Sequence, residues 1–135
     1  MTSGAGHVVL DTSTLLWWTN RPEELTTAAS IAIALALSRD ACLVSAISLW
    51  EIALKARQGK LDVGIPVVEY ARRVAQIDGL RILDVDVSTW LRNVALDWSH
   101  RDPADRTIVA TAEMHDAALV TSDAVIRAYY PRAVW

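Results

Sequence analysis

Short apolar runs rich in β-branched residues alternate along this chain with stretches of helical periodicity, and that alternation restricts the fold more than any other feature. Strands are predicted over 7–10, 41–45, 81–85, 118–121 and 133–135. Helices are predicted over 14–18, 23–38, 49–58, 66–77, 88–96, 103–115 and 123–129. Runs that are apolar at consecutive positions belong to strands buried on both faces. Parallel strands need crossover connections, and right-handed crossovers put helices on both sides of the sheet. The predicted class is therefore α/β, a three-layer α/β/α sandwich with a four- or five-stranded parallel sheet, forming a single domain over 1–135.

With 53% hydrophobic residues in 135, the chain has enough apolar side chain for one core. Its longest apolar stretch, 28–37, is broken only by Ser30 and falls short of the roughly 20 residues of a membrane helix, so no membrane association is expected. The helix over 23–38 is apolar on more than one face and should be covered on two sides. Trp17 and Trp18 are adjacent and cannot both face one core, so this region is the expected partner surface and homodimer contact. Cys42 is the single cysteine and lies in an apolar run, where it reads as a small buried hydrophobe. With no disulfide possible within the chain and no secretory pattern at its start, a reducing cytoplasm is the expected location. A net charge of −3 gives no general attraction for a polyanion, so nucleic-acid contact would rest on local Lys and Arg.

The chemistry is carried by acids. Asp11 follows Val8-Val9-Leu10, and Asp123 follows the run that ends at Thr121, so both stand beyond strand ends. In a parallel sheet that is where ligands bind. Glu51 opens one helical stretch, and Asp102 and Asp105 open another. Each has an ordinary alternative role. Asp11, Asp102 and Asp123 can cap helices, Ser48 to Glu51 fits a capping box, and Glu51 with Lys55 is a favourable i,i+4 pair. Capping does not require the strand-end acids to share one edge, however, and crowded carboxylates repel unless a cation compensates. An all-oxygen donor set suits a hard divalent ion. His7, His100 and His115 show no pairing at ligand spacing and read as structural, and no zinc pattern, Gly-rich phosphate loop or nucleophile elbow occurs.

Four blocks, taken together and in order, resemble PIN-domain ribonucleases, specifically the VapC-type toxins of bacterial toxin–antitoxin pairs. They are Val8-Val9-Leu10-Asp11-Thr12, the run from Val44 through Ser48-Leu49-Trp50-Glu51 to Lys55, His100-Arg101-Asp102-Pro103-Ala104-Asp105-Arg106, and Val120-Thr121-Ser122-Asp123. The resemblance spans nearly the whole chain. It implies a PIN-like fold and a Mg²⁺- or Mn²⁺-dependent site that hydrolyses RNA, with Asp11, Glu51, Asp105 and Asp123 as catalytic metal ligands. Asp102 is a possible outer-shell group or a cap. Ala104 departs from the aromatic residue frequent at that place. The resemblance further implies RNA as substrate and a cognate antitoxin as partner.

The mechanism that fits is metal-assisted attack of water on a phosphodiester, with carboxylates as ligands and proton acceptors. Lys55 and Arg106, with Arg57, Lys60 and Arg101, are candidates for flanking phosphates or for solvated ion pairs. The alternative is a non-catalytic PIN-fold module that binds RNA or protein. A phospho-acceptor domain on a similar sheet is disfavoured, because Asp11 stands alone before Thr12.

Overall fold

A computed structural model describes residues 6–135; residues 1–5 of the predicted domain lie outside the described residues. Five parallel strands run in the order β3-β2-β1-β4-β5. They are β1 (Val8–Leu10), β2 (Cys42–Ser45), β3 (Leu80–Leu83), β4 (Ala118–Val120) and β5 (Ala133–Val134). The chain winds outward from β1 to β3 and then returns to the other side of β1. The switch in direction therefore falls between β1 and β4, the strands that carry Asp11 and Asp123. Their register pairs Leu10 with Val120, so the two acid-bearing ends are level.

Alternation within the central strands divides the core into two. Val8, Leu10, Cys42, Val44 and Val120 face one layer, which is closed by Leu15, Ile33, Ile52, Tyr70 and Val74. These come from α1 (Thr12–Asn20), α2 (Thr27–Ser38), α3 (Ala46–Arg57) and α4 (Val67–Ala75). Val9, Leu43 and Leu119 face the other layer, closed mainly by α6 (Pro103–Met114) and α7 (Ala124–Tyr129), with α5 (Val87–Ala95) packed on α6. Each fully buried Leu or Ile contributes about 1.5–3 kcal/mol. Cys42 lies buried in β2, and burial pushes its thiol up to about 12, so it is inert at neutral pH.

Two helix ends set strand entry. Asp40 and Asp116 take positive φ, 54° and 50°, after α2 and α6. This left-handed step lets Ala41 and Ala117 donate back to the Ala36 and Ala112 carbonyls at 2.8 and 2.9 Å. Gly79, with φ of 86°, lies so close to Leu37 that a Cβ would stand 2.1 Å from its carbonyl oxygen.

Two predicted helices require correction. The stretch 23–38 is a single 3-10 turn (Pro22–Glu24) followed by α2, because Leu25 is extended and Thr26 accepts from the Ala29 amide. The capping box proposed for Ser48 and Glu51 does not form: Ser45 caps α3, accepting from the Ile47 amide, and Ser48 is buried inside the first turn. Trp17 and Trp18 are half-buried within their own chain, Trp17 with its ring centroid 5.6 Å from that of Trp135 and Trp18 against the α1–α4 core. Among the described residues no helix is long and apolar enough to cross a membrane.

Candidate functional site

Asp11 is 5% exposed at the end of β1 and caps α1, with Oδ1 accepting from the Thr14 amide at 2.8 Å. Its Oδ2 accepts from the Thr121 hydroxyl at 2.5 Å. Thr121 in turn accepts from the Asp123 amide at 3.0 Å, so one hydroxyl joins the ends of β1 and β4. Burial raises the Asp11 pKa, the hydrogen bonds from Thr121 and Thr14 oppose it, and the charge of Asp123 raises it further.

Asp123 caps α7, its Oδ1 accepting from the Val125 and Ile126 amides at 2.8 and 3.2 Å. Asp102 caps α6, accepting from the Asp105 amide at 2.8 Å. Three of the acids are therefore true caps, as their sequence context allows. Glu51 and Asp105 cap nothing. Glu51 lies past the first turn of α3 with Oε1 2.5 Å from the Thr12 hydroxyl, which also lies 2.9 Å from that of Ser48. Asp105 stands in the first turn of α6 with Oδ2 2.8 Å from His100 Nε2. Its pKa is pushed up to about 6, first by burial and then by the charges of Asp102 and Asp123, against the hydrogen bond with His100.

The sheet edge thus puts Asp11 and Asp105 each within reach of the Asp123 charge, and Thr12, next to Asp11, ties Glu51 to the group. Among the described residues no three of the His, Cys, Asp and Glu side chains stand, as placed, at the spacing to share one ion. Glu51 is turned to Thr12 and Asp105 to His100. Only one oxygen of each is engaged there, Glu51 Oε1 and Asp105 Oδ2, so the second oxygen of each is the one an ion would take, after a shift that brings the acids closer. The donor chemistry itself fits a hard divalent cation: the four acids offer oxygen only, and Asp11 and Asp105 are desolvated and each repelled by Asp123.

Two predicted phosphate contacts fare differently. Lys55 is half-exposed and makes a loose ion pair with Glu51 at 3.9 Å, which keeps its ammonium beside the acids. Arg106 is not free. All its N–H groups are donated to backbone carbonyls between Asn93 and His100, which corrects its reading as a substrate-phosphate group. Arg57, Lys60 and Arg101 are exposed. Sequence reasoning missed His100, assigned there a structural role, and the connections made by Thr12 and Thr121. The only signal available was that a hydroxyl residue stands beside each strand-end acid.

A groove of about 420 Å³ runs along α1 from Ser13, two residues from Asp11, past Leu16, Trp17 and Arg21 to the loop containing Leu61 and Val63. It lies beside the acids rather than over them.

Comparison with known proteins agrees with this architecture. The model of the PIN-domain family matches residues 8–130. Ribonuclease VapC22 of Mycobacterium tuberculosis is 39% identical over 129 residues, which span 94% of this chain and 95% of that protein. Among solved structures, VapBC2 from Rickettsia felis bound to a DNA fragment from its promoter superposes with a TM-score of 0.64 at 16% identity, over 93% of this chain and 94% of that one. A toxin–antitoxin complex from Klebsiella pneumoniae gives 0.60 at 20% identity, over 95% and 96%. These two support the fold. The chain belongs to the PIN-domain family and, within it, to the VapC type.

Proposed function

We propose that this chain is an endoribonuclease toxin that hydrolyses RNA phosphodiester bonds with Mg²⁺ or Mn²⁺ held by Asp11, Glu51, Asp105 and Asp123. The observation that supports the reading is that Glu51 and Asp105 cap no helix, yet Glu51 is tied to Thr12, next to Asp11, and Asp105 lies within reach of the Asp123 charge. Crowded acids with no structural task are what a cation site needs and a folding scaffold does not. The 39% identity to a protein named a ribonuclease supports the substrate class.

When bound, the ion supplies Lewis acidity, which activates water and offsets charge on the phosphodiester. The residues do the rest. Thr121 and the Thr14 amide hold the Asp11 carboxylate in one orientation, and the Thr12 hydroxyl holds Glu51. A carboxylate of the group accepts the proton of the attacking water; the raised pKa of Asp105, about 6, belongs to the metal-free site and falls when a cation offsets the neighbouring charges. Lys55 contacts a flanking phosphate.

An antitoxin segment is the partner that suits the groove along α1. Its apolar walls with Arg21 and Asp62 at the rim fit a short amphipathic peptide, and its end at Ser13 would lie against the acids. Two exposed apolar faces suit a homodimer contact, Ile31 and Leu35 of α2, at 55% and 49% exposure, and a larger one on α5. Val87, Trp90, Leu91 and Val94 recur on one face of α5 at 44–79% exposure, while its polar Thr89 and Asn93 face inward. Light scattering of Val94→Asp against wild type tests this, with a monomer expected for the variant and an unchanged state counting against it.

The test of function is cleavage of total cellular RNA by purified wild type and folded Asp11→Asn, each with Mn²⁺ and with EDTA. Cleavage by wild type in Mn²⁺ alone is expected. A wild type inert in Mn²⁺ favours the non-catalytic binding module.

A further inference from the structure

Arg106 adjoins Asp105 on α6 and carries its guanidinium to the connection between α5 and α6. Nε donates to the Asn93 carbonyl at 3.1 Å. Nη1 donates to Trp98 at 2.6 Å and His100 at 3.0 Å, and Nη2 to Asn93 at 2.7 Å and Leu96 at 3.0 Å. A guanidinium has five N–H groups, so none remains for another ligand. The receiving carbonyls belong to the last turn of α5, which lacks intrahelical partners there, and to residues 96–100, which have no regular secondary structure.

The same segment is pinned a second time. The Trp98 ring stacks on Tyr129 at 4.6 Å and 11°, and the His100 ring lies 4.8 Å from Trp98. The contacts close a circuit. Asp105 and Arg106 are neighbours on the helix, Arg106 binds the His100 carbonyl, and the His100 imidazole binds the Asp105 carboxylate.

Resting on the ribonuclease reading above, we infer that Arg106 is a positioning residue of the site: by gathering the carbonyls of residues 93–100 it fixes His100, and through His100 the direction of the Asp105 carboxylate. Neither phosphate binding nor general charge explains a guanidinium with every donor turned to backbone. Lysine cannot substitute, because one ammonium has three donors radiating from a point and cannot reach four carbonyls in a plane. Outer groups that orient a metal ligand matter about 10–100-fold in metal affinity or activity, which sets the size of effect to look for.

The experiment compares wild type, Arg106→Lys, His100→Ala and the double variant, all folded by circular dichroism and measured well below their melting temperatures. Three readouts are taken: amide hydrogen exchange over residues 96–101, Mn²⁺ affinity by electron paramagnetic resonance, and kcat and KM on RNA. Arg106→Lys is expected to raise exchange in that segment, weaken Mn²⁺ binding about tenfold and lower kcat about tenfold with KM nearly unchanged. His100→Ala should weaken Mn²⁺ binding similarly, and the double variant should be no worse than the more affected single.

A rise in KM alone with reduced salt dependence would make Arg106 a phosphate contact and overturn the inference. So would raised exchange with wild-type Mn²⁺ affinity and kcat, which is a purely structural role. If Arg106→Lys does not fold, His100→Ala decides alone: wild-type Mn²⁺ affinity in that variant overturns the route through His100. A wild type that binds Mn²⁺ but cuts no RNA refutes the proposed activity and leaves the exchange and Mn²⁺ readouts to judge Arg106. A wild type that binds no Mn²⁺ overturns both.

Discussion

Removing one crowded charge should stabilise the protein when no metal is present. Asp105 is the place to test it, because its pKa is raised from 3.8 to about 6 by burial and by Asp102 and Asp123. A shift of that size corresponds to about 3 kcal/mol between the two protonation states. The side chain is 22% exposed, and solvent screening reduces the expected effect to about 1–2 kcal/mol. The folded pKa lies above the unfolded one, so the folded state holds the proton more tightly. The ionised carboxyl therefore weighs against folding above about pH 6, the penalty fades as pH falls toward 3.8, and below that it is absent. Asp105→Asn in EDTA should raise Tm by about 3–8 °C at pH 7.5 and by almost nothing at pH 4. With millimolar Mn²⁺ the wild type should gain by mass action and the variant should gain less. Differential scanning calorimetry across this pH range is the assay. If Asp105 served only the α6 dipole, its removal would lose about 0.3–1 kcal/mol at pH 7.5. A variant that is less stable in EDTA at neutral pH, beside a wild type indifferent to Mn²⁺, would refute the reasoning.

Glu51→Gln should lower RNA cleavage at least about tenfold with little change in Tm, because Ser45 caps α3 and Glu51 has no capping role. Wild-type kinetics in that variant would return Glu51 to a purely structural role. Thr121→Val keeps the shape but leaves Asp11 Oδ2 and the Asp123 amide without their partner, so a loss of about 1–3 kcal/mol is expected by urea unfolding. Because the Thr121 bond lowers the Asp11 pKa, its loss should also move the acid limb of the pH–rate profile upward; an unmoved limb would exclude Asp11 from the chemistry. Gly79→Ala should destabilise by more than about 1 kcal/mol, since a Cβ meets the Leu37 carbonyl oxygen and φ is 86°. Unchanged urea stability would show that this approach is slack.

Much of this architecture was legible before any coordinates. Apolar runs between helical stretches mark all five strands within two residues at each end, and an acid after a strand lands at the sheet edge because the strand direction takes it there. Local starts were less legible. Pro22 with Glu23 and Glu24 has the composition of a helix start, yet Thr26 holds the cap that begins α2. Ser45 and Ser48 are chemically equivalent capping candidates, and β2 decides between them by carrying the chain to Ser45 before it turns. Long-range hydrogen bonds left no pattern to read. The bond from Thr121 to Asp11 joins residues 110 apart, and nothing in residue type distinguishes an arginine bound to carbonyls from one free for phosphate. The apolar residues of α5 recur with the spacing of a core face yet are exposed, while polar Asn93 makes the inward contact with Thr107.

The central claim is that Asp11, Glu51, Asp105 and Asp123 hold one divalent-ion site at the ends of β1 and β4. Anomalous diffraction at the manganese edge from crystals grown in millimolar Mn²⁺ tests it most directly. The expected result is an anomalous peak at direct ligand distance from Asp11 and at least one of the other acids, with Asp105 still held by His100 through its other oxygen. Mn²⁺-saturated crystals with no peak at that edge would contradict it.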